Sequence, residues 1–80
     1  MKGSVTTKPA PELGHTNAYH VVCEVPYRGT TTHTAWTAPD GRGLWIDGKQ
    51  AVSETAFDAT RDPRKEIRLY FKRHWMPPVY

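Results

Sequence analysis

Tyr19-His20-Val21-Val22-Cys23-Glu24-Val25 decides the fold: its apolar residues recur at every second position, the period of a half-buried strand. Tyr19, Val21, Cys23 and Val25 share one face of that strand, and His20, Val22 and Glu24 share the other. Working outward, Pro26-Tyr27-Arg28-Gly29 reads as a turn closed by glycine. Residues 30–37 follow, rich in β-branched threonine. Pro39-Asp40-Gly41-Arg42-Gly43 is a loop, Leu44-Trp45-Ile46 a short strand, and Asp47-Gly48 a strong tight-hairpin signal. A last short strand at residues 49–52 completes the meander.

Pairing arithmetic tests this reading. With Val25 opposite Thr30, Cys23 meets Thr32, Val21 meets Thr34 and Tyr19 meets Trp36. With Thr37 opposite Gly43, Trp36 meets Leu44 and Thr34 meets Ile46. Opposed residues share a face, so Tyr19, Val21, Cys23, Val25, Trp36, Leu44 and Ile46 collect on one core face, while His20 and His33 point away from it. Leu44 and Ile46 point inward, so Trp45 projects to the opposite face.

The C-terminal segment is read as a helix. Asp62-Pro63 supplies a capping residue and a proline at the first helical position. Ile67, Tyr70, Phe71, His74 and Trp75 then fall on one helical face. Ile67, Leu69, Phe71 and Trp75 also lie at even spacings, as in a strand, but the cap and the helix formers Lys65, Glu66 and Arg68 favour the helix. A further short helix is expected at residues 54–61, introduced by Ser53. The expected architecture is α+β: a small antiparallel β-meander of three to four strands, with one C-terminal helix packed on one face.

Eighty residues make one domain, of which about 60% of the unfolded surface is buried. Residues 1–16 carry Pro9 and Pro11 without a hydrophobic period and read as a flexible N-terminal arm. Residues 17–75 form the single small domain, and 76–80, with Pro77 and Pro78, an extended tail. Met1 reads as the start of a complete small product, and the polar Met1-Lys2-Gly3-Ser4 opening carries no secretory signal. No apolar run is long enough for a membrane span. The single cysteine, Cys23, excludes an internal disulfide and argues against structural zinc. These features place the protein in a reducing cytoplasm, the host's if it is viral.

The formal charge of +3 is unevenly placed. Residues 1–40 are neutral, whereas Arg61, Arg64, Lys65, Arg68, Lys72 and Arg73 face only Asp62 and Glu66 between residues 61 and 74. Such a patch attracts phosphates or an acidic protein surface.

Reactive side chains do not assemble into a site. Cys23 and His20 are three apart in a strand and lie on opposite faces, and Cys23 falls on the core face as a small hydrophobe. His20 and His33, diagonal on the outer face, would make a weak two-ligand site. Gly41-Arg42-Gly43 lacks the spacing and lysine of a phosphate loop. Asp40, Asp47, Asp58 and Asp62 sit where turns and caps want aspartate. No enzyme activity, cofactor or metal is therefore expected.

Two functional classes follow. The first is a non-catalytic regulator or inhibitor, of viral or mobile-element type, that blocks a larger protein of a host nucleic-acid machine. Trp45 would anchor the contact, with Arg64, Arg68, Lys72 and Arg73 pairing an acidic surface. The alternative is direct binding of nucleic acid through the same cations. A homodimer through the Trp45 face is a further arrangement of the same surface.

Overall fold

A computed structural model describes residues 3–75, in which five strands form one antiparallel sheet in the order β1-β2-β3-β4-β5. They are β1 (Ser4–Pro9), β2 (Tyr19–Val25), β3 (Gly29–Trp36), β4 (Leu44–Ile46) and β5 (Lys49–Val52). A helix, α1 (Pro63–Tyr70), continues into a π-helical turn at Phe71–Trp75. Asp62 caps α1 by accepting from the Lys65 N–H at 3.2 Å, with Pro63 directly behind it. The α+β meander with its C-terminal helix is thus the architecture of the chain.

The helix and one face of the sheet enclose the core. Val5, Val21, Cys23, Ala35, Leu44 and Ile46 from the strands meet Ile67 and Phe71, with Phe57 and Ala59 closing one end. Tyr19 and Tyr70 pack against this cluster from its border. Burial of Cys23 pushes its thiol up from the ordinary value, as desolvation of a thiolate requires.

The strand register differs from the expected one. Val25 pairs with Gly29, Val21 with His33 and Tyr19 with Ala35. The turn closes one residue earlier than expected, because Arg28 N–H donates to Val25 O at 3.0 Å and Gly29 begins the next strand. Pro26 occupies the second turn position, and Tyr27 supplies a positive φ of 66° at the third. A one-residue slip exchanges faces, so Ala35 and His33 turn inward while Trp36 and Thr34 turn out. The next connection shifts as well: Ala35 meets Ile46 and Trp36 meets Trp45. The two slips cancel, and Leu44 and Ile46 are buried as expected.

Three further expectations are corrected. Residues 4–9 belong to the sheet as β1, paired with β2 from Ser4↔Glu24 to Pro9↔Tyr19. Val5 and Thr7 alternate inward there and are buried, an alternation hidden in sequence because one of the two is polar. Residues 54–61 form no helix. Phe57 O accepts from Gly43 N–H, and Ala59 N–H donates to Gly41 O, which lays this segment alongside residues 41–43. His33 is an inner-face residue, for the register reason given above. The tail at 76–80 lies outside the described residues. No described helix is long and apolar enough to cross a membrane.

Candidate binding surface

The face of the sheet opposite the helix carries the aromatic surface. Trp36 and Trp45 are directly opposed on β3 and β4, and both are half-buried. Trp45 stands outward between two buried neighbours, Leu44 and Ile46. Its ring lies on the backbone of Gly43, where a Cβ would come within 3.0 Å of Trp45 Cζ3. Gly43 has φ +74°, so glycine supplies both the conformation and the close approach.

The other side of Trp36 is covered by His15, stacked at 4.0 Å between ring centroids with an interplanar angle of 4°. The loop carrying His15 is tied down nearby. Thr37 N–H donates to Thr16 O at 3.1 Å, and Asn17 Nδ2 donates to Thr37 Oγ1 at 2.9 Å. Between these groups lies an open groove of about 400 Å³, bordered by His15, Trp36, Ala38, Pro39, Trp45 and Glu54. Two rings held by register and backbone need little ordering on contact, which favours them as anchors.

The basic segment divides. Arg64 donates from Nε to Thr7 Oγ1 at 2.7 Å and from Nη2 to Thr7 O at 2.5 Å. Arg68 donates from Nε to Val5 O at 3.0 Å. These two guanidinium groups fasten α1 to β1 while both residues remain exposed, so two of the four cations expected at a contact also serve the fold. Lys72 and Arg73 are exposed. Arg73 borders a second groove of about 390 Å³ with Asp58, Glu66, Tyr70 and His74, where two carboxylates moderate its charge.

His33 is the centre of the inner-face polar network. Its Nδ1 is 2.9 Å from Asp47 Oδ2, and its Nε2 is 3.0 Å from Trp75 Nε1 and 3.1 Å from Thr31 Oγ1. The Asp47–His33–Thr31 line has the connectivity of an acyl-transfer relay. Chemistry argues against that role. An indole N–H only donates, so Trp75 occupies the Nε2 lone pair that would otherwise accept the Thr31 proton. His33 then carries its proton on Nδ1 toward Asp47, and the network pins the end of the helical segment to the sheet. Elsewhere His20 Nε2 meets Glu12 Oε1 at 2.7 Å on the outer side. Among the described residues no three potential metal ligands cluster.

Burial opposes ionisation of Asp47, but the hydrogen bonds from His33 and from Thr34 N–H outweigh it and hold its carboxyl below the ordinary 3.8. A depressed folded-state pKa means stability present above the ordinary value and lost as pH falls through the folded one. Thermal melts should therefore show a midpoint that declines as pH drops below about 4. Asp47→Asn keeps the positive φ of this turn position and one acceptor oxygen. It should lower the midpoint at neutral pH and flatten the acid decline. An unchanged acid profile would remove Asp47 from the linkage. Glu12 and Asp58, whose carboxyls are also held low, by Glu12's own backbone amide and by the Thr60 hydroxyl respectively, leave a residual slope of the same sign.

The sequence places Trp45 outward, as it is in the structure, but does not place Trp36 or His15 beside it. The expected register puts Trp36 in the core, and nothing in the local sequence of residues 1–16 marks His15 as a stacking partner. Comparison with protein families, with curated proteins and with solved structures found no match to this chain.

Proposed function

We propose that this protein is a non-catalytic binding module that regulates or inhibits a larger protein by seating the helix-free face of its sheet upon it. The observation that carries this reading is the side-by-side placement of Trp36 and Trp45, both partly buried, on the helix-free face. Tryptophan is enriched among residues that dominate binding energy, and a pair bordering a groove offers both area and shape. Lys72 and Arg73 are exposed on the helical segment, which packs against the other face of the sheet, so they offer an acidic partner a cationic contact separate from the tryptophan face. Direct nucleic-acid binding is the weaker reading, because Arg64 and Arg68 are engaged with β1.

The test is affinity capture from the native cell with wild-type and Trp45→Ala protein, with and without nuclease, followed by titration of the captured partner. Trp45→Ala should weaken binding by about 2 kcal/mol or more, roughly thirtyfold, with the fold intact by circular dichroism. Undiminished affinity would remove the anchor. Loss of every partner on nuclease treatment would transfer the proposal to nucleic acid.

A further inference from the structure

Among the described residues the sheet leaves strand backbone uncovered in three places, and two of them are guarded. Along the outer edge of β1, the Val5 and Thr7 carbonyls accept from Arg68 and Arg64. The β5 edge is four residues long, opens with Lys49 and follows a register irregularity between Leu44 and Trp45. Short length, lysine and irregular pairing all discourage the addition of another strand.

The third place is the first half of β3, which has no such guard among the described residues. Paired residues of β4 reach β3 only at Ala35 and Trp36. One more rung follows, made by Asp47: its N–H donates to Thr34 O at 2.9 Å, and its Oδ1 accepts from Thr34 N–H at 3.0 Å. Beyond that rung, residues 29–33 pair with β2 on one side and with no described strand on the other. Backbone groups alternate sides along a strand. The N–H and C=O of Thr30 and Thr32 therefore point the same way as those of Thr34, along the open edge. Thr30, Thr31 and Thr32 are exposed, uncharged and β-branched.

We propose that this open half of β3 accepts an extended peptide strand from a partner protein by β-augmentation, the segment being uncharged and free of proline at its paired positions. Main-chain hydrogen bonds to Thr30 and Thr32 supply the recognition, and the neutral threonine edge offers no charge to pair. The Asp47–Gly48 hairpin tip occupies the same lane beyond Thr34, so the added segment is short and ends there.

Two other occupants fit less well. The chain's own C-terminal residues include Pro77-Pro78, which lack the N–H groups a ladder needs. A second copy paired antiparallel about Thr31 would bring its own Arg28 opposite Thr34, a position Asp47 already takes.

The experiment is residue-resolved amide hydrogen exchange on the full chain, with a capped heptapeptide of alternating threonine and valine as the probe. At saturating peptide the Thr30 and Thr32 amides should exchange at least about tenfold more slowly. The Thr31 and His33 amides, which face β2, should not change. An analogue of the peptide with alternate amides N-methylated should give no protection, because it cannot form the ladder. Thr32→Pro removes an edge N–H while sparing the β2 side, and should abolish the slowing at Thr30. Trp45→Ala should leave the peptide effect intact, which separates this site from the aromatic face. No slowing with the unmodified peptide, or equal slowing with the N-methylated one, would overturn the proposal. Slowing without peptide that grows with protein concentration would replace the peptide with a second copy. The N-methylated control decides the matter on wild-type protein should Thr32→Pro not fold.

Discussion

Phe71→Ala is expected to cost about 3–5 kcal/mol, a large share of what a domain of this size has to lose. Phe71 is fully buried and is the largest side chain in the core that is. It sits where α1 passes into the π-helical turn, with ring centroids 5.9 Å from His33, 6.2 Å from Tyr70 and 5.4 Å from Trp75. Its removal empties the seam between helix and sheet, and the polar network at His33 loses the apolar wall behind it. A domain of this size has roughly 4–12 kcal/mol to lose, at about 0.05–0.15 kcal/mol per residue. Urea unfolding followed by far-ultraviolet circular dichroism measures the effect. Phe71→Leu keeps most of the volume and should cost less than half as much. A loss below about 1 kcal/mol for alanine would mean that the helix is not docked through this residue.

The parts of this fold legible in sequence are those where one residue decides locally. Asp62-Pro63 fixes the helix start by satisfying an orphan amide and presetting φ, and neither effect depends on distant contacts. Asp47-Gly48 fixes the last hairpin in the same way: both residues have positive φ, as a tight primed turn requires. The β2–β3 connection is hard to place in sequence because two of its residues have positive φ, Tyr27 at 66° and Gly29 at 102°, and Gly29 already begins the following strand. Glycine normally carries that conformation, so the sequence points to Gly29 rather than Tyr27 as the turn residue. A turn closed there exchanges the faces of Trp36 and His33.

The β1 strand was illegible for a different reason. Its inward pair is Val5 and Thr7, and a threonine in the core does not register as an apolar position. What makes it acceptable there is Arg64 Nε donating to its hydroxyl, from a residue 57 positions away. Trp45 was found because its two neighbours are strongly apolar and leave it only one direction. Its companion Trp36 needed a correct register across two connections, and His15 needed the Thr16–Thr37 hydrogen bond that holds its loop. A cluster of arginines looks the same in sequence whether it meets solvent or a carbonyl edge.

That edge yields the second large expected effect. Removing both guanidinium groups, in Arg64→Ala with Arg68→Ala, should destabilise the protein by about 2–4 kcal/mol, since hydrogen bonds to charged groups contribute roughly 1.5–3 kcal/mol each and these are partly exposed. The geometry explains why arginines four apart serve a strand. Four helical residues rise about 6.0 Å and two strand residues about 6.8 Å, so Arg64 and Arg68 match the alternate carbonyls of Thr7 and Val5. Arg64→Lys lacks the planar fork and cannot make both of its bonds at once, so it should fall between wild type and alanine. The thermal midpoint should drop by about 10–20 °C in the double variant. Amide exchange should accelerate first in β1, which is held on its other side by β2 alone. If these cations were only a solvated basic face, the double alanine would change stability by less than about 0.5 kcal/mol. The same variant strips the guard from the β1 edge, leaving two open edges on one sheet. Its light scattering should therefore rise with concentration under conditions where wild-type protein stays monodisperse.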